Sequence, residues 1–190
     1  MTGVDLSPQM IELARARTAA AAGIEFIAGA AAEFNLGRSF GAVVSLFHVA
    51  SYQAGAGEML RMLENVRRHL NPGGIFVFDF WHGPGVLADP PVERVRRAED
   101  ERIRVTRIAK PTHRPEECIV DVNFEVNIED VADGAAERIE ELHRLRYFSV
   151  PELESLLHRA GLAIERTHAG LTIAPLEARA WYGLVVARAN

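Results

Sequence analysis

The sequence predicts an α/β fold with a doubly wound, mostly parallel sheet and an antiparallel insertion of three strands. Nearly continuous apolar segments alternate with amphipathic ones, which is the pattern of parallel strands covered by helices on both faces. Between about Val92 and Tyr147 the pattern changes to strict alternation of apolar and polar side chains, which is typical of strands with one solvent-exposed face. The 190 residues are 48% hydrophobic, which suffices for one sizeable core.

The chain opens on a strand that runs into a helix. Gly3-Val4 ends an extended run, Asp5 stands at its carboxyl end, and Ser7 is a good N-cap for a helix that reaches about Ala22. In open α/β sheets ligands bind beyond the carboxyl ends of the strands, and an acid after the second strand commonly binds ribose hydroxyls. Asp5 is therefore a candidate ribose ligand, although its carboxylate also suits the positive end of the following helix.

The position of Asp5 fits the end of a second strand, so a first strand is expected to precede the opening strand. The turn after that first strand is normally glycine-rich and holds part of a nucleotide-like cofactor. We therefore expect the chain as given to lack its first strand and helix, a unit of roughly 30 residues or more.

Turn signals and periodicity predict the remaining elements in order. Before the insertion we expect three strands, at Ile24–Ala28, Ala42–Phe47 and Ile75–Phe80. Between and after them we expect a helix at Glu58–Leu70, a turn at Asn71–Gly74 and a flexible loop at Trp81–Gly85. The insertion strands are predicted at Ile103–Ile108, Val120–Ile128 and Leu142–Phe148, with a separator at Lys110–Pro115. A capping box at Ser149–Glu152 then begins a helix that Gly161 ends, and strands Ala163–Thr167 and Trp181–Arg188 close the chain.

Composition excludes several classes of function. A net charge of -5 and a pI near 5.8 argue against a nucleic-acid or anionic-membrane binder, since both need a basic surface. Cys118 is the only cysteine, and no secretory signal or membrane-spanning run occurs, so the cytoplasm is predicted. The histidines lack metal-ligand spacing, so no metal site is expected.

The order of these parts resembles a class I S-adenosylmethionine-dependent methyltransferase. The resemblance rests on the opening strand and helix, the loop around Gly29, the segments Phe40–His48 and Leu70–Gly74, and the capped helix with its closing hairpin. The insertion and the segments Phe47–Tyr52 and Asp79–Pro84 are similar to small-molecule enzymes of sugar pathways, including the N,N-dimethyltransferases of nucleotide-linked amino sugars. The resemblance implies a Rossmann-like core at residues 1–91 and 148–190, with the insertion at 92–147 over the active site.

The same resemblance implies S-adenosyl-L-methionine as the cofactor and assigns residues to it. Asp5 would bind the ribose, and Leu6 and Met10 would lie beside the adenine ring. The backbone of Ala30 and Ala31 would face the adenine edge, and Phe47 would line the path to the methionine end.

Three departures from the family pattern stand out. Ala30 occupies a position that is usually acidic, Gly41 stands where an aspartate often opens the fourth strand, and the glycine-rich loop is absent. In this fold the first strand lies in the middle of the sheet, so its loss would leave two strand edges unpaired. We therefore expect cofactor binding by this chain alone to be weak or absent, and its methyl transfer to be impaired.

Three residues are candidates for catalysis. His48 and His82 follow two strands predicted to be adjacent, so both are expected at one crevice, where Tyr52 forms an acceptor wall. The ordinary pKa of histidine, about 6.5, suits a general base at neutral pH. The alternative for each histidine is a hydrogen-bonded loop residue without a catalytic role.

The predicted function is methyl transfer to nitrogen or oxygen of a small molecule, such as a nucleotide-linked amino sugar. One alternative is a noncatalytic remnant or a partner-dependent interaction module. Another is a nicotinamide-dependent oxidoreductase, because an acid after the second strand suits that cofactor too. The insertion after Trp81 and the closing hairpin favour the methyltransferase. Expected partners are a small-molecule acceptor and a second copy of the chain in a homodimer, without nucleic acid or membrane.

Overall fold

Three separate sets of hydrogen-bonded strands organise the computed structural model, which describes residues 1–19 and 22–190. The strands are β1 (Thr2–Asp5), β2 (Glu25–Ala28), β3 (Phe40–Ser45), β4 (Leu70–Trp81), β5 (Arg94–Glu99), β6 (Ile103–Arg114), β7 (Ile119–Asp130), β8 (Ala136–Arg146), β9 (Leu162–Ala169) and β10 (Tyr182–Ala189). The helices are α1 (Pro8–Arg17), α2 (Glu58–Arg68), α3 (Gly83–Ala88) and α4 (Val150–Arg159), and short 3-10 turns cover Val49–Tyr52 and Pro115–Glu117.

The core sheet has the strand order β3-β4-β10-β9. The pair β3-β4 is parallel, whereas β10 runs antiparallel to both β4 and β9, so the predicted α/β class is confirmed with a mixed rather than mostly parallel sheet. Phe76, Phe78 and Phe80 of β4 are fully buried and belong to one cluster with the apolar stripe of α2 and with Leu153 and Leu157 of α4. This packing fixes the carboxyl end of β4, where the candidate site lies.

The strands β1 and β2 form a parallel pair of their own. Within the described residues, β1 and β3 each have one edge without a hydrogen-bonded partner strand. The sequence predicted that Ala42–Phe47 would be covered on both faces, and this is wrong, because Val44 is 60% exposed and Phe47 is 77% exposed.

The insertion contains four antiparallel strands in the order β5-β6-β7-β8, not three. The sequence missed β5 because all six of its residues are exposed and it has no apolar alternation. The predicted separator at Lys110–Pro115 lies largely inside β6, where Pro111 is tolerated because β5 pairs only as far as Ala109 and leaves that edge of β6 free. The domain boundaries at 91/92 and 147/148 stay a prediction.

Local signals were correct at some helix ends and wrong at others. The Ser149 side chain accepts a hydrogen bond from the backbone N–H of Glu152, as the capping box predicted, and Gly161 has a positive φ. The opening helix ends at Arg17, before the predicted end near Ala22; Ala20 and Ala21, which that prediction included, lie outside the described residues.

Two loop predictions after the first histidine candidate also need correction. The predicted turn Asn71–Gly74 is an irregularity within β4, since the pairing with β3 skips from Leu70 to Ile75. The predicted flexible loop Trp81–Gly85 is instead the end of β4 followed by the start of α3. Its glycines favour a close approach to another backbone segment rather than mobility, because Gly85 packs against Ala180.

Candidate active site

The candidate site lies where β3 and β4 end side by side. Because the two strands are parallel, the residues that follow β3 lie next to the last residues of β4. His48 follows β3, Asp79 lies near the end of β4, and Tyr182 begins the antiparallel neighbour β10. Three elements thus bring a histidine, a carboxylate and a phenol ring to one edge of the core sheet.

Asp79 holds both the ring and the backbone of His48. Its Oδ2 atom lies 3.1 Å from His48 Nδ1, and its Oδ1 atom accepts the His48 backbone N–H at 2.9 Å. The Nδ1 atom is buried and its contact with Asp79 has ion-pair distance without hydrogen-bond geometry. The His48 side chain is 31% exposed, and its Nε2 atom is accessible and has no hydrogen-bond partner among the described residues.

The loop that carries His48 has a costly backbone conformation. Phe47 and His48 both have a positive φ, of 62° and 68°, which disfavours side chains other than glycine by roughly 1–2 kcal/mol each. The following 3-10 turn offsets this cost, because Ser51 donates its backbone N–H to the His48 carbonyl at 2.8 Å. The buried Ser51 hydroxyl in turn accepts the Trp81 backbone N–H at 2.9 Å, which fixes the turn to β4.

Aromatic rings surround His48. The Tyr182 ring stacks on the imidazole with centroids 4.7 Å apart and an interplanar angle of 18°, and Trp81 meets it edge-on at 6.3 Å. The ring centroid of Trp181 lies 5.1 Å from that of Trp81. The indole Nε1 of Trp81 is buried and has no hydrogen-bond partner among the described residues, which is uncommon for a buried donor.

Tyr52 connects this site to the insertion. Its hydroxyl lies 2.6 Å from Nδ1 of His143 on β8, and His143 Nε2 lies 3.0 Å from a carboxylate oxygen of Glu141. The pKa of Tyr52 is raised, first by burial and then by the negative charge of Glu141. The phenol is therefore protonated at neutral pH. His143 lies within the predicted strand Leu142–Phe148 and Glu141 lies just before it, but neither was selected as a site residue, because only the tertiary pairing of β8 brings them to Tyr52.

The residues expected around the cofactor lie on β1, on α1, on the loop after β2 and after β3. The carboxylate of Asp5 accepts the Ser7 backbone N–H at 2.8 Å. This contact is the interaction with the start of α1 that the sequence offered as the alternative to ribose binding. Three of the residues expected around the cofactor, Leu6, Met10 and Phe47, have large exposed apolar side chains. The Ala30 carbonyl accepts two backbone N–H groups, and the Ala31 carbonyl accepts the Asn65 side chain at 3.1 Å. Their cofactor roles stay predictions.

His82 has a different environment from His48. It is 5% exposed, its Nδ1 atom lies 2.9 Å from the Ala180 carbonyl oxygen, and Phe80 meets its ring edge-on. The structure therefore brings His48 and Tyr52 to the open edge of the sheet and holds His82 inside. A catalytic role for His82 stays a prediction.

Among residues 1–19 and 22–190, no group of three or more histidine, cysteine, aspartate or glutamate side chains has the arrangement of a metal site. In the same residues, no helix is both long enough and apolar enough to span a bilayer.

Comparisons with known proteins identify the family. The family described as "Methyltransferase domain" matches residues 1–74. The chain is 30% identical over 168 residues to the dTDP-3-amino-3,4,6-trideoxy-alpha-D-glucopyranose N,N-dimethyltransferase of Streptomyces venezuelae, covering 88% of this chain and 68% of that protein. A solved S-adenosylmethionine-dependent methyltransferase from Clostridium acetobutylicum has the same fold, with a TM-score of 0.86 at 17% identity over 100% of this chain and 74% of that one. The chain belongs to the class I S-adenosylmethionine-dependent methyltransferases.

A second relative extends this similarity. The methyltransferase is 29% identical over 163 residues to the dTDP-3-amino-3,6-dideoxy-alpha-D-glucopyranose N,N-dimethyltransferase of Streptomyces fradiae, with 86% of this chain and 61% of that protein covered. The chain thus spans about two thirds of the length of these two relatives. Membership in the family makes S-adenosylmethionine the cofactor and decides against the nicotinamide oxidoreductase that the sequence left open.

Proposed function

We propose that this methyltransferase transfers methyl groups to the amino nitrogen of a nucleotide-linked amino sugar. The observation that carries the proposal is the His48–Asp79 pair, with an accessible Nε2 on the ring and a buried carboxylate behind it. The names of the two relatives support nitrogen over oxygen, because both are N,N-dimethyltransferases of dTDP-linked amino sugars.

In this proposal His48 acts as the general base. An amine attacks only through a free lone pair, so a proton must leave the nitrogen, and a positioned base can take it. Asp79 faces Nδ1 and favours the tautomer with the proton on that atom, which leaves Nε2 to accept a proton from the acceptor. Tyr182 stacks on the ring and holds its plane. Asp79 and Tyr182 therefore orient the His48 ring, and its Nε2 atom is the proton acceptor.

The described residues also fit the cofactor. Asp5 has one carboxylate oxygen engaged with Ser7 N–H and lies exposed at the carboxyl end of β1, so its other oxygen is available to ribose hydroxyls. Leu6 and Met10 expose large apolar side chains that the adenine ring could cover, and Phe47 exposes one that would line the path to the methionine end. When bound, S-adenosylmethionine supplies an activated methyl group. The homodimer, the cytoplasmic location and the impaired activity predicted from the sequence all stay predictions.

Methyl transfer tests the proposal directly. We expect the chain, incubated with S-adenosylmethionine and a dTDP-linked 3-amino sugar, to yield products heavier by one and then two methyl groups in mass spectrometry. His48→Gln should lower kcat by about a hundredfold or more, the usual contribution of a general base. His158→Gln is the matched control, because His158 is exposed on α4. Equal activity of both variants would contradict the role of His48.

Cofactor binding is measured separately. A ligand that binds only the folded state raises the unfolding temperature, so a thermal scan with saturating S-adenosylhomocysteine should show an upward shift. A cooperative transition that does not shift would support the alternative of a noncatalytic interaction module. The absence of any cooperative transition would support the impairment that the sequence predicts.

A further inference from the structure

The two faces of the insertion sheet differ in how their charges are paired. We call the inner face the one that carries Val120, Val122 and Leu145, which cluster with Val86 of α3, and the outer face the opposite one. On the outer face most cations have a carboxylate partner. These pairs include Arg144 with Asp121 at 2.7 Å, Arg104 with Glu129 at 2.9 Å and Lys110 with Glu125 at 3.2 Å.

The inner face carries three arginines that have no such partner. Arg94 and Arg96 lie on β5 and Arg107 lies on β6, and among the described residues no carboxylate comes within 4.0 Å of their side-chain nitrogens. Arg96 and Arg107 are directly opposite each other in the antiparallel pairing. Like charges in that position repel and destabilise the sheet. An anion between the two guanidinium groups would remove this cost.

These arginines are connected to the candidate active site by a row of contacts. The guanidinium carbon of Arg107 lies 5.2 Å from the centroid of the Phe124 ring, which is a cation–π distance. Phe124 meets His143 edge-on at 4.9 Å, and His143 contacts the Tyr52 hydroxyl at 2.6 Å. Tyr52 lies four residues after His48. The arginines therefore border the same surface that the proposed acceptor would occupy.

On the inner face, positive charge lies on the strands β5 and β6 and negative charge lies on β8. Across one row of paired residues, Arg94 on β5 is followed by Ala109, Phe124 and then Glu141 on β8. The basic side thus lies on β5 and β6, and the acidic side with Glu141 and Glu137 lies on β8. Two strand spacings, about 10 Å, separate β6 from β8. A ligand with an amine at one end and an anion at the other matches this division.

From this arrangement we infer that Arg96 and Arg107, with Arg94 beside them, bind the diphosphate of the nucleotide-linked acceptor. The inference rests on the proposed function and deepens it. Guanidinium groups bind phosphate oxygens through paired N–H donors, and two neighbouring arginines offer two such forks to a diphosphate. Contact with Phe124 orients Arg107 for this role. Glu141 and His143 then face the amine side of the sugar.

Isothermal titration of the 190-residue chain with thymidine diphosphate tests the inference. We expect binding that weakens as salt is raised, and no measurable binding of thymidine, which lacks the phosphates. Arg96→Gln and Arg107→Gln should each weaken binding about tenfold or more, the factor of one lost charge-assisted hydrogen bond. Arg97→Gln is the matched control, because Arg97 is the next residue on β5 and lies on the outer face opposite Thr106. It should bind like the wild type.

The outcomes separate this inference from the proposed function. Thymidine diphosphate affinities that are equal in the Arg96, Arg107 and Arg97 variants would overturn the inference, as would a wild-type chain that does not bind the probe. Titration of the same variants with S-adenosylhomocysteine should give unchanged affinity. Arginine-dependent binding of the diphosphate without any methyl transfer would sink the proposed function while the diphosphate site stands.

Discussion

One buried carboxylate holds His48 at two points: Asp79 Oδ2 lies 3.1 Å from the ring Nδ1, and Asp79 Oδ1 accepts the backbone N–H at 2.9 Å. The second contact supports a left-handed backbone conformation that His48 would otherwise avoid. Asp79 therefore sets the position of the ring as well as its electrostatic environment. The two effects can be separated by substitutions.

Asp79→Asn should lower kcat by about tenfold or more and leave the KM for S-adenosylmethionine nearly unchanged. The asparagine keeps an oxygen that can accept the His48 backbone N–H, so the turn survives, but it removes the negative charge that faces Nδ1. Steady-state kinetics with both substrates measure the two constants. Asp89→Asn, at an exposed position after α3, is the control and should leave kcat unchanged. A normal kcat in a folded Asp79→Asn protein would contradict the positioning role.

A methyl group at Gly85 should disturb the site from a distance. An added Cβ would overlap the Ala180 carbonyl oxygen and lie 2.9 Å from the Cα of Trp181. Because these are backbone atoms, they must move, and overpacking of this kind typically costs about 1–3 kcal/mol. The shift would reach Tyr182, which stacks on His48. We expect Gly85→Ala to lower the free energy of unfolding in urea and to reduce kcat.

The control for Gly85 is another glycine with open space. Nothing lies within 4 Å of a Cβ added at Gly41, and its φ is not in the positive range. Gly41→Ala should therefore leave stability unchanged or raise it by up to about 1 kcal/mol, since it restricts the unfolded chain. If both variants lost the same stability, close packing at Ala180 would not be the cause.

The sequence predicted the core better than the insertion. Apolar runs such as that of Ile75–Phe80 and the stripe of α2 identified buried elements, because burial selects the side chains directly. The strand β5 escaped prediction because a fully exposed strand is held by backbone hydrogen bonds that leave no pattern in its side chains. The left-handed loop after β3 escaped for a related reason: its geometry depends on Asp79, 31 residues away from His48.

At the candidate site, too, residues that follow an apolar strand could be predicted, whereas residues placed by tertiary contacts could not. His48 and Tyr52 could be selected from sequence because they follow an apolar strand, at the place where α/β proteins bind ligands. Tyr182, His143 and Glu141 could not, since only the tertiary pairing brings their strands to this edge. His82 has the same sequence context as His48 but is buried against Ala180, because α3 starts immediately after it.

The contact between Tyr52 and His143 should couple the core to the insertion energetically. Tyr52→Phe removes the hydroxyl that lies 2.6 Å from His143 Nδ1, and His143→Gln removes the ring. Burial raises the pKa of Tyr52, so its proton stays in place over the whole neutral range. We expect the two substitutions to be non-additive by about 1 kcal/mol in a double-mutant cycle measured by urea unfolding. Strict additivity would mean that the contact contributes nothing to stability.

Asp121 should make the insertion sensitive to acid. Its carboxylate is buried on the outer face and accepts hydrogen bonds from Arg144 at 2.7 and 3.0 Å and from Arg114. The Arg144 hydrogen bonds, aided by the charges of both arginines, hold the pKa of Asp121 below its usual value. A lowered pKa in the folded state stabilises the protein above the usual carboxyl pKa. That contribution is lost as the pH falls through the lower folded value.

We therefore expect Asp121→Asn to lower the free energy of unfolding by about 2 kcal/mol at pH 7, because the variant leaves two arginines without their carboxylate. The difference from the wild type should shrink between about pH 5 and pH 2, as the wild-type carboxylate takes up its proton. Urea unfolding at several pH values measures both quantities. Glu99→Gln, which removes an exposed partner of Arg104, should change stability little at any pH. A difference between Asp121→Asn and the wild type that stayed constant down to pH 2 would show that lost packing, and not the ionised carboxylate, accounts for the effect.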